Sequence, residues 1–199
     1  MNSRLVVLIS GHGSNLQAIL DACASGHLDA EVVSVISNKA DAYGLVRASN
    51  ASVQAIYVPK REKETREEYD ARLAACVSSW LPDYVILAGW MRILSFAFLA
   101  SFPNRVINLH PALPGMFPGT QANARAYTAY QRGEIDRTGV MVHLVPDEGV
   151  DNGPVLGLQE IHFVPEESLE RFEARVHEVE HKLFVDTLNK ILKEDKRSA

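Results

Sequence analysis

The first 110 positions alternate short apolar runs with amphipathic stretches, and this rhythm limits the folds open to the chain. Leu5-Val6-Val7-Leu8-Ile9 carries no polar residue, as expected of a strand buried on both faces of a parallel sheet. Val32-Val33-Ser34-Val35-Ile36, Ala55-Ile56-Tyr57-Val58, Tyr84-Val85-Ile86-Leu87-Ala88 and Val106-Ile107-Asn108-Leu109 repeat the theme. Ser14 and Gln17 form a capping-box pattern that opens a helix to about Cys23. A short helix is expected from Gly44 to Ala51. A longer one starts at Thr65 and stops at Pro82, with Tyr69, Leu73, Cys76, Val77, Trp80 and Leu81 on one apolar face. The β-α-β order predicts an α/β fold: a doubly wound, mostly parallel, Rossmann-like sheet of about seven strands with helices on both faces.

Beyond residue 110 the pattern loosens. Pro111, Pro114 and Pro118, with Gly115 and Gly119, mark a loop. A helix over Gln121 to Gln131 follows, closed by Gly133. Val140, Val142 and Leu144 then alternate with Met141, His143 and Val145 as a strand, and Pro154 to Phe163 forms another. The last helix, Glu167 to about Lys193, sets Leu169, Phe172, Val176, Val179, Leu183 and Leu188 on one face. No repeat or linker divides the chain. One domain over 1–199 is expected, with an N-terminal half (1–110) and a less regular C-terminal half (111–199).

Composition narrows the function classes. At 199 residues, 47% hydrophobic and 23% charged, the chain is globular rather than disordered or fibrous. A net charge of −5 argues against a nucleic-acid-coating surface. No apolar run approaches the ~20 residues of a membrane-spanning helix, and the N-terminus lacks a secretory pattern. Two cysteines cannot build a disulfide framework, and both fall on apolar helix faces. A cytoplasmic protein without nucleic-acid or membrane partners is expected.

Three segments could carry chemistry. The turn Gly11-His12-Gly13-Ser14-Asn15 lies between a strand and the N-terminus of its helix, where free N–H groups and the helix dipole suit a phosphate. It also works as a plain glycine turn. A nicotinamide fingerprint fails, because Leu16 stands where a third glycine belongs and Ser37-Asn38-Lys39 replaces the acid ending strand two. In Asn108-Leu109-His110-Pro111, residues two apart share a side of the strand, so Asn108 and His110 face together at the ligand-binding edge of an α/β sheet. Asp151-Asn152-Gly153-Pro154 is a competent turn. Set near His110, the Asp151 carboxylate would raise the imidazole pKa. His177-Glu178-Val179-Glu180-His181 matches a zinc-protease helix, but Phe184 and Thr187 break its metzincin continuation and no third ligand follows. No metal is expected.

VVLISGHGSNLQAIL, SNKADAYGL, TREEYDARL, PDYVILAGWMRILS, INLHPALPGMFPG, TGVMVHLV, GVDNGPVL and ARVHEVEH, in this order, resemble the folate-dependent formyltransferases over nearly the whole chain. The nearest resemblance is to the branch that formylates glycinamide ribonucleotide in purine synthesis. It implies 10-formyltetrahydrofolate as cosubstrate and no metal. Gly13, Ser14 and Asn15 would hold the substrate phosphate and Glu180 its ribose. Met91, Arg92, Ile93 and Leu94 would line the pterin pocket, with Arg66 and Asn108 as further cosubstrate contacts. Asn108, His110 and Asp151 would be catalytic, as a monomer or homodimer. The chain departs from the pattern at His12, at Leu113-Pro114-Gly115, at Met141 and in a longer loop before Asp151. Other members act on amino sugars or initiator aminoacyl-tRNA, or hydrolyse formyl-folate. The tRNA and hydrolase enzymes carry additional domains for which this length leaves no room. A non-catalytic nucleotide sensor would keep the glycine turn without needing Asn108, His110 and Asp151 together.

Overall fold

Along Ser3–Ile9, strand β1, the side chains of Leu5, Val7 and Ile9 enter one hydrophobic core while Val6 and Leu8 enter another. All five are fully buried. An unbroken apolar run is thus what a strand covered on both faces requires. The computed structural model describes residues 2–198. After β1 come α1 (Ser14–Ala24), β2 (Ala30–Ser37), α2 (Tyr43–Asn50), β3 (Gln54–Tyr57), α3 (Arg66–Ser78), β4 (Tyr84–Leu87), α4 (Phe96–Leu99) and β5 (Val106–His110). The second half adds α5 (Ala122–Gln131), β6 (Arg137–Leu144), β7 (Val155–His162) and α6 (Leu169–Ser198).

One seven-stranded sheet runs β3-β2-β1-β4-β5-β6-β7. The first five strands are parallel; β6 and β7 join antiparallel. Helix α1 contributes Leu16 and Ile19, α5 Ala126, and α6 Phe172, Val176, Phe184 and Leu188 to one core. The other face is closed by Tyr69, Leu73 and Val77 of α3 with Phe98 and Leu99 of α4. The expected α/β sheet with helices on both faces is what forms. After β1 the chain winds outward through β2 and β3, then returns to place β4 on the other side of β1. The crevice beyond the carboxyl ends of β1 and β4 is therefore the switch point where such sheets bind ligands.

Local departures from the sequence expectations have physical causes. Ser14 is not the cap of α1: the N-cap is Gly13, in the left-handed region at φ 74°, and no side chain caps the helix. Gln17 instead donates to Asp21 and accepts from Arg47. The capping box forms on α3, where Thr65 Oγ1 accepts the Glu68 N–H and Glu68 accepts the Thr65 N–H. That helix stops at Ser78, before Pro82. Leu81 takes a positive φ and is 76% exposed rather than packed on the apolar face. Pro82 disfavours helical backbone at the residue before it, and the helix has already ended at Ser78. Helix α6 begins two residues later than Glu167 and continues past Lys193.

Candidate active site

Antiparallel pairing sets Asn108 of β5 directly opposite His143 of β6. His110, two residues on, is 3% exposed and His143 2%. The loop after β6 brings Asp151 against both, completing the Asn108, His110 and Asp151 group expected from the sequence. His110 Nδ1 lies 3.2 Å from Asp151 Oδ2, and that oxygen also accepts the Gly119 N–H at 2.8 Å. Asp151 Oδ1 accepts from Asn108 Nδ2 at 3.1 Å and sits 3.6 Å from His143 Nε2. Asp151 adopts φ 52°, a conformation costing an L residue ~1–2 kcal/mol, held by these contacts.

One hydrogen bond fixes a proton of His143. His143 Nδ1 lies 2.7 Å from the Leu144 carbonyl, which can only accept, so Nδ1 carries a proton. Nε2 lies 3.1 Å from Asn108 Nδ2, and in the tautomer with Nε2 unprotonated it would accept from that amide. In that tautomer both N–H bonds of the Asn108 amide are committed, one to His143 and one to Asp151. An incoming oxyanion would have to displace one of them. His110 is arranged differently: Nδ1 faces the carboxylate, while Nε2 is buried and has no partner among the described residues. Nε2 is the ring nitrogen that Asp151 leaves uncommitted.

Electrostatics correct one expectation. The His110 pKa is lowered, not raised. Burial is the largest influence and disfavours the imidazolium. Asp151 pulls upward, as anticipated, along with carbonyl groups at Met116 and Phe117, while His143 pushes down. The Asp151 carboxyl itself lies below the ordinary range. Burial opposes this, but His143, the Gly119 N–H and His110 together outweigh it.

The glycine turn occupies the end of β1. Gly13 abuts α2: a Cβ there would stand 2.8 Å from Gly44 Cα. Asn15 Nδ2 donates to Glu180 Oε2 at 3.1 Å, and His177 Nδ1 lies 2.9 Å from the same oxygen. Glu180 is 4% exposed, and its hydrogen bond raises the His177 pKa against the effect of burial. Glu180 thus links α6 to the turn, and Gly13, Ser14, Asn15 and Glu180 come together as one group. No hydrogen bond among the described residues joins this group to the His110 cluster; the two share the crevice edge of the sheet.

The segment after β4 forms the third group. Ser10 Oγ accepts the Met91 N–H at 2.9 Å and donates to Asn38. Asp70 Oδ2 accepts the Ser95 N–H at 2.6 Å. Between these anchors, no N–H or C=O of Arg92, Ile93 or Leu94 makes a hydrogen bond among the described residues. Met91 and Ile93 are exposed apolar side chains, and Arg92 lies 4.6 Å over the Tyr69 ring. The Leu94 side chain is buried in the core, so only its backbone remains for a ligand. Arg66, at the head of α3, is paired with Glu148, which also accepts the Phe96 N–H at 2.8 Å. The 145–154 loop therefore reaches the Arg66 side of the crevice before it delivers Asp151.

Sequence reasoning did not single out His143 as a site residue, nor Ser10, Asp70, Gly119 or Glu148. His143 had a signal, a lone imidazole within the apolar alternation of β6. Ser10, Asp70 and Glu148 act through backbone N–H groups and left none.

Among the described residues no group of His, Cys, Asp and Glu has the arrangement of a metal site. His177 and His181 are stacked at 6.5 Å between ring centres, with Glu180 turned to Asn15 and His177. No helix is long and apolar enough to cross a membrane.

An Asn-His-Asp cluster and a helix-start turn thus lie along one crevice edge of an α/β sheet. The chain belongs to the formyl transferase family, whose model matches residues 3–188. It is 42% identical over 208 residues to the phosphoribosylglycinamide formyltransferase of Schizosaccharomyces pombe, covering 98% of this chain and 100% of the relative. Against the enzyme of that name from Dictyostelium discoideum it is 41% identical over 201 residues, 94% of this chain and 97% of the relative. The crystal structure of glycinamide ribonucleotide transformylase 1 from Symbiobacterium toebii superposes with a TM-score of 0.90 at 37% identity, covering 97% of this chain and 89% of that one.

Proposed function

We propose that this protein transfers the formyl group of 10-formyltetrahydrofolate to the glycine amine of glycinamide ribonucleotide, in purine synthesis. The observation that carries the reading is His110 Nε2, buried and without a partner, backed at Nδ1 by Asp151. The substrate phosphate would rest on the N–H groups opening α1, beside Gly13, Ser14 and Asn15, where the helix dipole favours an anion. Glu180 would take the ribose hydroxyls. The pterin would lie along Met91 to Leu94, whose backbone groups are free to pair with it, and Arg66 would meet the carboxylate tail. The folate is a consumed cosubstrate, and no step calls for a metal.

Attack of the amine on the formyl carbon forms a C–N bond and places negative charge on the formyl oxygen. His110 accepts a proton from the attacking nitrogen at Nε2 and returns it to the departing folate nitrogen as the original C–N bond breaks, so protons balance over the cycle. The imidazolium formed between these steps is stabilised by Asp151. Asn108 donates to the developing oxyanion once the formyl oxygen displaces one of its present acceptors, a contact of a kind worth about 10²–10³ in rate.

The test is turnover with the two named substrates, following tetrahydrofolate release. Formyl transfer to an amino sugar instead of the ribonucleotide would replace the acceptor while keeping the chemistry. Tetrahydrofolate release without a formylated amine would point to hydrolysis, and no release at all would leave a binding protein.

A further inference from the structure

Asp70 is a fully buried carboxyl group on α3, and the chemistry above does not use it. Burying a carboxylate is costly unless its oxygens are well paired. Here Oδ2 accepts one N–H, from Ser95, and Oδ1 has no partner among the described residues. The buried Ser95 Oγ is likewise without one. An apolar side chain would fill this core position at less cost, so the carboxylate calls for an account other than packing.

Its single hydrogen bond ends the Met91–Ser95 segment. Ser10 Oγ holds the other end through the Met91 N–H. The three residues between are fastened by no hydrogen bond of their own. The conformation of that strip is therefore set from its two ends, by the burial of Leu94 and by Arg92 resting over the Tyr69 ring. Asp70 also lies one helical turn after Arg66, and residues four apart share a helix face. One face of α3 thus carries an exposed guanidinium at its head and, a turn deeper, the buried anchor of the adjoining strip.

We infer that Asp70 is a positioning residue for the cosubstrate: through the Ser95 N–H it holds Arg92, Ile93 and Leu94 in the conformation that receives the pterin. The inference rests on the functional reading above and adds a residue that touches neither substrate. Because the glycine turn and Glu180 lie elsewhere along the crevice, loss of Asp70 should weaken one substrate and spare the other.

The experiment measures kcat and both KM values for wild type, Asp70→Ala and Asp70→Asn, with a thermal midpoint for each. Asp70→Ala should raise the KM for 10-formyltetrahydrofolate about tenfold or more, since small misplacements of a bound group cost this much. The ribonucleotide KM should stay within about twofold. Asp70→Asn keeps an oxygen able to accept the Ser95 N–H and should recover the cosubstrate KM to within about threefold. If Asp70→Ala does not fold, Ser95→Pro deletes the donor at a residue already at φ −84°, and the same selective rise is expected. The inference is overturned by a folded Ala or Pro variant with an unchanged cosubstrate KM, by equal losses for both substrates, or by Asn doing no better than Ala. A wild-type protein inactive with this substrate pair would overturn the functional reading and the inference with it. Active wild type beside an unaffected Asp70→Ala removes the inference alone.

Discussion

Asp151 Oδ2 stands 3.2 Å from His110 Nδ1 while accepting the Gly119 N–H, so one carboxylate oxygen orients the imidazole and ties down the neighbouring 111–121 loop. Replacing His110 with Ala should lower turnover by about 10²–10⁴, the usual contribution of a positioned acid-base group. Far-ultraviolet circular dichroism should be unchanged. A variant that keeps wild-type turnover would remove His110 from the chemistry.

The pH dependence follows from the direction of the His110 shift. Burial lowers its pKa, so the neutral, proton-accepting ring persists below the ordinary histidine value of about 6.5. The acid limb of kcat/KM should therefore fall below that value. Asp151→Asn removes an upward influence on His110, and the limb of whatever activity remains should move further toward acid. A limb that moves toward alkali would show that His110 is not the titrating group.

Glu148 forms an ion pair with Arg66, the residue proposed to meet the cosubstrate tail. In Glu148→Gln the carbonyl oxygen can still accept the Phe96 N–H, while the charge facing Arg66 is gone. Exposed ion pairs are weak, so the cosubstrate KM should drop only about 1.5- to 5-fold. A rise in KM would mean that Glu148 assists folate binding rather than opposing it.

His177 reports on Glu180. Its pKa is raised in the folded chain by the hydrogen bond to Glu180. The pair's stabilisation is thus fully present below the unfolded value and is lost as pH climbs through the raised folded value. Glu180→Gln should return the His177 titration, followed by NMR, toward about 6.5. Its stability deficit should be full below the unfolded value of about 6.5 and shrink as pH rises through the raised folded value. The ribonucleotide KM should rise and the cosubstrate KM should not. An unmoved His177 titration would contradict the pairing.

Gly13→Ala places a side chain at φ 74° and 2.8 Å from the Gly44 backbone. The conformation alone costs ~1–2 kcal/mol, and the clash adds to it, so the urea midpoint should fall and the ribonucleotide KM should rise. An unchanged midpoint would mean that the turn tolerates a Cβ.

The sheet was legible because β1 and β4 are apolar on both faces and β2 and β5 carry long apolar runs, a pattern that a doubly covered strand needs. Helix ends were less legible. Ser14 and Gln17 have the residue types of a capping box, yet the left-handed Gly13 takes the cap position; at Leu81 the periodicity continued past the point where the backbone turned away. Within the site, Asn108 and His110 could be paired from strand alternation alone. Asp151 could not be joined to them from local pattern, because its approach depends on a loop 40 residues on and on the Gly119 N–H. The sign of the His110 shift was out of reach for the same reason, since burial is a property of the assembled fold.

The most direct test of the account is a turnover assay with glycinamide ribonucleotide and 10-formyltetrahydrofolate, comparing wild type with His110→Ala. Tetrahydrofolate and the formylated ribonucleotide should form in equal amounts with wild type, at a rate reduced at least about 10²-fold in the variant. Absence of transfer by the wild type, or equal rates for the two proteins, would contradict it.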